Sequence, residues 1–362
     1  MKICFLANHQ CTLALNWANS LSEKRNYKIY FITDSYVRAD DKKFSIKYIN
    51  LGEFKYGKIL YQSYKLNKIV RHIKPDIIHA FYTTNFGLLS ILTNTNNHVV
   101  TVQGSDIFIE PNKSKIFYYI NKIVFKKAQK VHSMANHMTE EIKRYGVNKN
   151  KIITFPEGVN IQVFKNIQKY RNRTIKMIST RRLKRFYQND VLLKAASTLK
   201  SKNLIIKLTI IGEGPEKENL KKLAKELQIQ KEVQFIGYVS RQKYCKYLNE
   251  NYYYISTSPS DGASASLFEA MASGIFPIVS NIAANKEIIK DHENGLLFEE
   301  NNPLDLAKCL IDIHKNKKLY DKAIRKNIDL INNVYCKDLI ISQLKEEYEK
   351  IYNNARAYSF PM

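Results

Sequence analysis

Short apolar runs of strand length alternate with longer amphipathic stretches through most of this chain. In the first half the runs are "KICFLA", "KIYFIT", "FSIKYIN", "DIIHAF", "HVVTVQG", "KVHSMA" and "KIITFPEG". Amphipathic segments such as "LALNWANSLSEK" and "MTEEIKRYG" separate several of them. Strands interleaved with helices predict parallel sheets covered on both faces. The pattern pauses in the polar run "KNIQKYRNRT" near residue 165, then resumes with "IKMIST", "IKLTIIGEG", "VQFIGYVS", "YYYIST", "FPIVSN" and "GLLFEE". The two series predict two Rossmann-like, doubly wound α/β domains, residues 1–165 and 166–340. The last helix, "KDLIISQLKEEYEKIY", has no strand after it, and residues 341–362 are read as a brace between the domains. Ligands of such sheets bind beyond the carboxyl ends of the strands, so chemistry is sought at the strand-to-helix junctions.

A length of 362 residues and a hydrophobic content of 44% suit two globular domains. No apolar stretch approaches the roughly 20 residues needed to span a bilayer. The start "MKICFLANHQ" is too brief for a secretory apolar region and reads as a buried first strand. Cys4, Cys11, Cys245, Cys309 and Cys336 are scattered, with neither CxxC nor metal-ligand spacing. The expected setting is a reducing cytoplasm.

Charge changes this picture. The net charge is +25. Residues 42–74 hold nine Lys/Arg against one acid, Glu53, and residues 112–130 add six lysines, four aromatics and no acid. Within the first stretch Ile59, Leu66, Val70 and Ile73 fall on one side of a helix, with Lys58, Lys65, Lys68 and Arg71 elsewhere. A solvated helix face is one reading. The sharper one is peripheral contact with an anionic membrane through basic helices around 58–74 and 113–130, which sets the protein at the inner face of the cell membrane. Nucleic acid ranks last, because no recognised nucleic-acid-binding signature is present.

Three junctions of the second half carry candidate chemistry. In "TIIGEGPEKENLKKLA", Gly212 and Gly214 permit a tight turn close to a ligand, although a plain turn explains them equally well. "STRRLKRFYQND" gathers Arg181, Arg182, Lys184 and Arg185, a natural place for a diphosphate. In "SDGASASLFEAMASG" a loop opens a helix that ends at Gly274, a C′ glycine by pattern. Ser266 and Glu269 fit a capping box, which would make Glu269 structural. The amides of a helix start also favour phosphate, and a carboxylate one turn in suits a ribose diol.

This last stretch, running on as "SDGASASLFEAMASGIFPIVSNIAANKEII", resembles the donor-site signature of retaining GT-B glycosyltransferases, the group 1 or GT4 family. "KPDIIHAFYTTNFGLLS", "VTVQGSDIF", "LTIIGEGPEKENLKKLAKELQIQKEVQFIGYVS" and "ENGLLFEENNPLDLAKCL" match in order, so the likeness covers nearly the whole chain. It implies a GT-B fold whose two domains, acceptor-binding then nucleotide-sugar-binding, face each other across a cleft. It also implies transfer of a sugar, with retention, from a nucleotide-diphosphate sugar to a hydroxyl of a glycan or lipid-linked acceptor. The setting would be surface-polysaccharide, lipopolysaccharide or lipid-linked glycan assembly. A UDP-sugar is preferred to a GDP-sugar. No cofactor is expected, and metal-independent hexosyl transfer follows because no DxD-like pair stands in the right setting.

By the same resemblance Arg182 is the phosphate-binding arginine. Tyr187 stands where a companion lysine is usual, leaving Lys184 or Arg185 to supply charge. Glu269 matches the ribose carboxylate. Asp261, in the place of a glutamate, would contact sugar hydroxyls. Gly262, Ala263, Ser264, Ala265, Ser266 and Leu267 form the donor loop, and Gly237 and Tyr238 lie near the base. Asp106 and Gln103 fall in the first domain's catalytic segment, with Gln103 replacing a histidine. Asn8, His9 and Gln10 replace a glycine-rich turn on the acceptor side. Two other readings stay open: a GT-B-like epimerase, and a basic membrane- or nucleotide-binding protein whose donor site has decayed.

Overall fold

The structure, a computed structural model, describes residues 1–35, 45–95, 97–165 and 172–357. Most of the polar run near residue 165 lies outside them. The chain divides into two compact units, Met1–Glu157 with Leu339–Met362, and Gly158–Asp338.

Unit 1 holds a seven-stranded parallel sheet of β1 (Lys2–Leu6), β2 (Lys28–Thr33), β3 (Ile46–Asn50), β4 (Ile77–Phe81), β5 (His98–Thr101), β6 (Lys130–Ser133) and β7 (Ile152–Thr154). Their order is β3-β2-β1-β4-β5-β6-β7. These are the seven runs read from the sequence. The central strands β1, β2, β4 and β5 lack polar alternation because both faces are buried, whereas the edge strands β3 and β7 are partly exposed. Ile3 and Phe5 pack with helix Thr12–Ser22 and with Ile340, Leu344 and Tyr348 of the last helix, Lys337–Ala357. Cys4 and Leu6 pack on the other side with Leu66, Val70 and Ile73 of helix Ile59–Ile73.

A buried polar chain ties the last helix to this sheet. Tyr348 Oη lies 2.5 Å from His79 Nδ1, whose Nε2 lies 2.6 Å from Thr101 Oγ1. Thr101 Oγ1 meets His132 Nδ1 at 3.1 Å, and His132 Nε2 meets the Phe155 carbonyl at 2.8 Å. Burial disfavours the imidazolium, so His79 is held well below its ordinary value and His132 is lowered to about 3.

Unit 2 holds a six-stranded parallel sheet of β8 (Ile175–Ser179), β9 (Ile206–Ile211), β10 (Val233–Gly237), β11 (Tyr253–Ser256), β12 (Phe276–Ser280) and β13 (Leu296–Phe298). Their order is β10-β9-β8-β11-β12-β13. In each unit the direction of winding reverses once, between β1 and β4 and between β8 and β11. Loops leaving such neighbours diverge and open a crevice for a ligand.

Candidate functional site

At the β8/β11 crevice the first loop is cationic. Arg181 is enclosed: its Nη2 lies 2.7 Å from Asp261 Oδ2, and its Nη1 donates to Ser264 Oγ at 2.9 Å. The guanidinium sits 4.7 Å from the centre of the Tyr187 ring. The two charged side chains are only 11% and 17% exposed. Burial alone would lower the Arg181 pKa, but the Asp261 charge outweighs it and the net shift is upward. Arg182, Lys184 and Arg185 are exposed.

The β9 turn supports this loop from below. Leu183 N–H donates to the Glu213 carbonyl and Glu216 N–H to the Leu183 carbonyl, each at 3.0 Å. A Cβ on Gly214 would stand 2.2 Å from the Leu183 oxygen, and one on Gly212 2.5 Å from the Arg181 oxygen. Both glycines therefore permit backbone-to-backbone packing. Gly237 has φ +80, and a Cβ there would stand 2.5 Å from Glu213 Oε1. Tyr238, next to it, is exposed.

The loop after β11 leads into helix Ala265–Ala272, whose N-cap is Ser264. Its third residue is Leu267, so Glu269 lies beyond the capping-box position and that reading is corrected. Ser266 Oγ instead lies 2.8 Å from Tyr254 Oη and 3.1 Å from Ser264 Oγ. The helix ends as read: Gly274 has φ +66, and its N–H donates to the Met271 carbonyl while Ile275 N–H donates to that of Ala270. The first N–H groups of a helix have no intrahelical acceptor, and here they belong to Ala265 and Ser266. Asp261 Oδ1 accepts from Gly262 N–H at 3.0 Å.

Glu269 is held by a neighbouring helix, Arg241–Asn249. Tyr244 Oη donates to Glu269 Oε2 at 3.0 Å, and Arg241 Nη1 lies 3.2 Å from Oε1. Arg241 itself rests 4.5 Å from the centre of the Phe164 ring. Burial, then the Glu269 charge, raises the Tyr244 pKa well above its ordinary value, so its hydroxyl stays a donor.

At the β1/β4 crevice of unit 1 the groups are of another kind. Asp34, at the end of β2, accepts from Asn8 Nδ2 at 2.5 Å and from His9 N–H at 3.0 Å, and it pairs with His9 Nδ1 at 3.0 Å. Burial would raise Asp34, but the His9 and Thr33 hydrogen bonds outweigh it and leave the carboxyl below its ordinary range. Gln10 is exposed, with its N–H on Asn8 Oδ1 at 2.9 Å. Tyr82 follows β4 at φ +79, a costly conformation for a bulky residue. Its hydroxyl reaches Ser105 Oγ at 3.0 Å and Glu110 Oε1 at 2.9 Å.

Two family models cover most of the chain in tandem. One, described as glycosyl transferases group 1, matches residues 160–329, and another, glycosyl transferase 4-like, matches residues 2–135. The chain belongs to the group 1, GT4-like glycosyltransferases. An uncharacterized glycosyltransferase of Methanocaldococcus jannaschii is 25% identical over 92% of this chain and 92% of its own. The fold is GT-B. A glycosyltransferase of Rickettsia africae superposes with a TM-score of 0.82 at 19% identity, covering 98% of this chain and 99% of its own. Anabaena HepE in complex with UDP gives 0.79 at 13% identity, covering 97% and 100%.

In this group 1 glycosyltransferase the donor is a nucleotide sugar, a co-substrate. Arg181, Asp261, Ser264, Ser266 and Glu269 all stand at the β8/β11 crevice, with Gly262 and Leu267 buried behind them. Arg182, expected to be the phosphate ligand, is exposed one residue beyond the enclosed Arg181. Asp106, expected to be catalytic, is fully buried. It accepts from Thr83 N–H and Gln103 N–H, each at 3.0 Å, and burial raises it to about 6. It therefore pins the β4 and β5 exits together. Gln103 Nε2 reaches Cys11 Sγ at 3.0 Å. Arg241, Tyr244 and Asp34 were not picked out from the sequence. The first two sit three residues apart at a helix start, and that spacing was their signal. Among the described residues no group of three or more His, Cys, Asp or Glu could hold a metal ion, and no helix is long and apolar enough to cross a membrane.

Proposed function

We propose that this transferase moves a hexosyl group, with retention and without a metal, from a UDP-sugar to a hydroxyl of a glycan or lipid-linked glycan. Its setting would be the cytoplasmic face of a membrane, in surface-glycan assembly. One observation carries the donor half: the β8/β11 crevice joins Arg181, the exposed cations 182, 184 and 185, a helix start and the fixed Glu269. A leaving diphosphate gains charge as the glycosidic bond breaks, and preorganised cations and amides stabilise that charge most where it develops. Glu269, oriented by Tyr244 and Arg241, is the acceptor for the ribose hydroxyls. UDP in HepE supports the choice of nucleotide.

Arg181 and Asp261 act as a pair. A diphosphate gives Arg181 a second anion to bind, and Asp261 is then released toward the donor sugar's hydroxyls. Tyr187, standing where a lysine is usual, keeps Arg181 in place by stacking. The acceptor's proton passes to an oxygen of the departing phosphate as its bond to the anomeric carbon breaks and the acceptor oxygen bonds that carbon on the same face. Retention itself rests on the family resemblance.

The test is a thermal-shift panel of UDP-, GDP-, ADP- and CMP-sugars, followed by NMR of the product's anomeric centre with and without EDTA. A UDP-sugar should give the largest shift, and the product should keep the donor's configuration with EDTA present. Inversion, or loss of transfer with EDTA, would overturn the mechanism. Nucleotide-induced stabilisation with no transfer or hydrolysis of any donor would establish the decayed-site reading instead.

A further inference from the structure

Two helices of unit 1 present an unusual solvent face. Helix Ile59–Ile73 joins β3 to β4, and helix Lys115–Lys127 joins β5 to β6. The first buries Leu66, Val70 and Ile73 against Cys4, Ile78 and Ala80. The second buries Val124 and Phe125 against Val100 and Val131. Cys4 with Ile78, Ala80 with Val100, and Val100 with Val131 are register partners, so all point to one side of the sheet. The two helices therefore cover the same side, and their outer faces look the same way. The Tyr56 and Phe117 rings, 6.0 Å apart, connect the helix starts.

Those outer faces share a pattern. Leu60, Tyr64, Lys68 and Arg71 repeat at four, four and three residues, and Lys115, Tyr119, Ile123 and Lys126 repeat identically. Leu60 is 82% exposed, Tyr64 70%, Ile116 66% and Tyr119 60%. Residues 54–75 and 111–139 contain no Asp or Glu. The acids at their edges have partners: Glu53 pairs with Lys55 at 3.0 Å, and Glu110 accepts from Tyr82 and Thr84. The cationic helix of unit 2 is the useful contrast. Its Lys217, Lys221 and Lys222 pair with Glu213, Glu218 and Glu226, and its outer face carries no aromatic residue.

We infer that these two helices form a docking surface for an anionic lipid bilayer, with the tyrosines, Leu60 and Ile116 entering the headgroup layer and the lysines meeting the lipid phosphates. Charge complementarity selects the occupant, since the surface offers cations without acids and apolar side chains without a cover. Amphipathic tyrosines favour the boundary between water and acyl chain. A groove of about 610 Å³, lined by Phe108, Lys115, Tyr119 and Arg144 among others, opens beside this face. The inference deepens the lipid-linked acceptor reading but does not need it, because docking requires no sugar nucleotide.

The test is sedimentation of the full chain with phosphatidylcholine vesicles, alone or with about one-third phosphatidylglycerol, at low and high salt. Partitioning should be at least about tenfold stronger on the anionic vesicles and fall with salt. Each exposed cation contributes about fivefold. The variant Lys68→Glu/Arg71→Glu/Lys122→Glu/Lys126→Glu should therefore lose binding, with its circular dichroism and Tm unchanged. Tyr64→Ser/Tyr119→Ser should weaken binding about tenfold and steepen its salt dependence. Reversing Lys217, Lys221 and Lys222 should leave it unchanged. Equal binding to neutral vesicles, an equal loss from the unit 2 reversal, or tighter retention on duplex DNA than on anionic vesicles would each overturn the proposal. Transfer to a water-soluble acceptor, measured separately, reports on the catalytic reading alone.

Discussion

The two crevices arise from one topology and carry opposite chemistry. In both units a parallel sheet reverses its winding once, and loops diverge from the two central strands. Unit 2 lines that place with arginines, helix amides and two carboxylates held by cations. Unit 1 lines its own with Asn8, a His9–Asp34 pair and a strained Tyr82. Topology thus fixes where a ligand goes, and the loop residues decide what it is. A charged, leaving diphosphate suits the first set. A neutral polyol, met by short polar side chains, suits the second.

The largest expected difference between the units is their response to acid. His79 and His132 are buried and neutral in unit 1. In the unfolded chain each takes a proton near pH 6.5, so the unfolded state binds more protons below that pH, down to about pH 3 in the case of His132. Their contribution is intact above pH 6.5 and drains as the pH falls, by about 1.4 kcal/mol per pH unit for His132 within its window. Hydrogen exchange at decreasing pH should show unit 1 opening before unit 2. Simultaneous opening would break the contrast.

Next in size is Arg181→Ala, which removes both the proposed diphosphate ligand and the partner of Asp261. A loss of about 100- to 1,000-fold in kcat/KM is expected, against less than tenfold for the exposed Arg182→Ala. The reverse order would return the phosphate-binding role to Arg182. Glu269→Ala should weaken UDP binding about 10- to 100-fold, and Tyr244→Phe severalfold, as the loss of a charge-assisted hydrogen bond predicts. Calorimetry with UDP checks both, and a Glu269→Ala protein that binds UDP normally would break the ribose assignment. The smallest effect is assigned to His9→Ala. It should raise the acceptor KM about twofold, as the loss of a partly exposed pair predicts, and leave UDP affinity alone, which would support a division of donor from acceptor between the two crevices.

The strands among the described residues were legible because those buried on both faces are mostly apolar, and such runs survive in one dimension. The end of helix Ala265–Ala272 was legible too, since Gly274 after it obeys a local rule. Arg181 was not separable from Arg182. Which of two adjacent arginines meets Asp261 depends on a loop 80 residues further along the chain. Gly212 and Gly214, read either as a close approach to a ligand or as a plain turn, stand against the Arg181–Leu183 backbone.

The sequence by itself determined the alternation of strands and helices, the charge of the unit 1 surface and the family to which the chain belongs. Each of these rests on residues near one another along the chain. Tertiary structure decided that Asp261 is paired, that Glu269 is held by Tyr244 and Arg241, and that Asp106 is buried under two loops. Those outcomes depend on partners brought together by sheet order, and hydrogen bonding and desolvation act only at distances of a few ångströms.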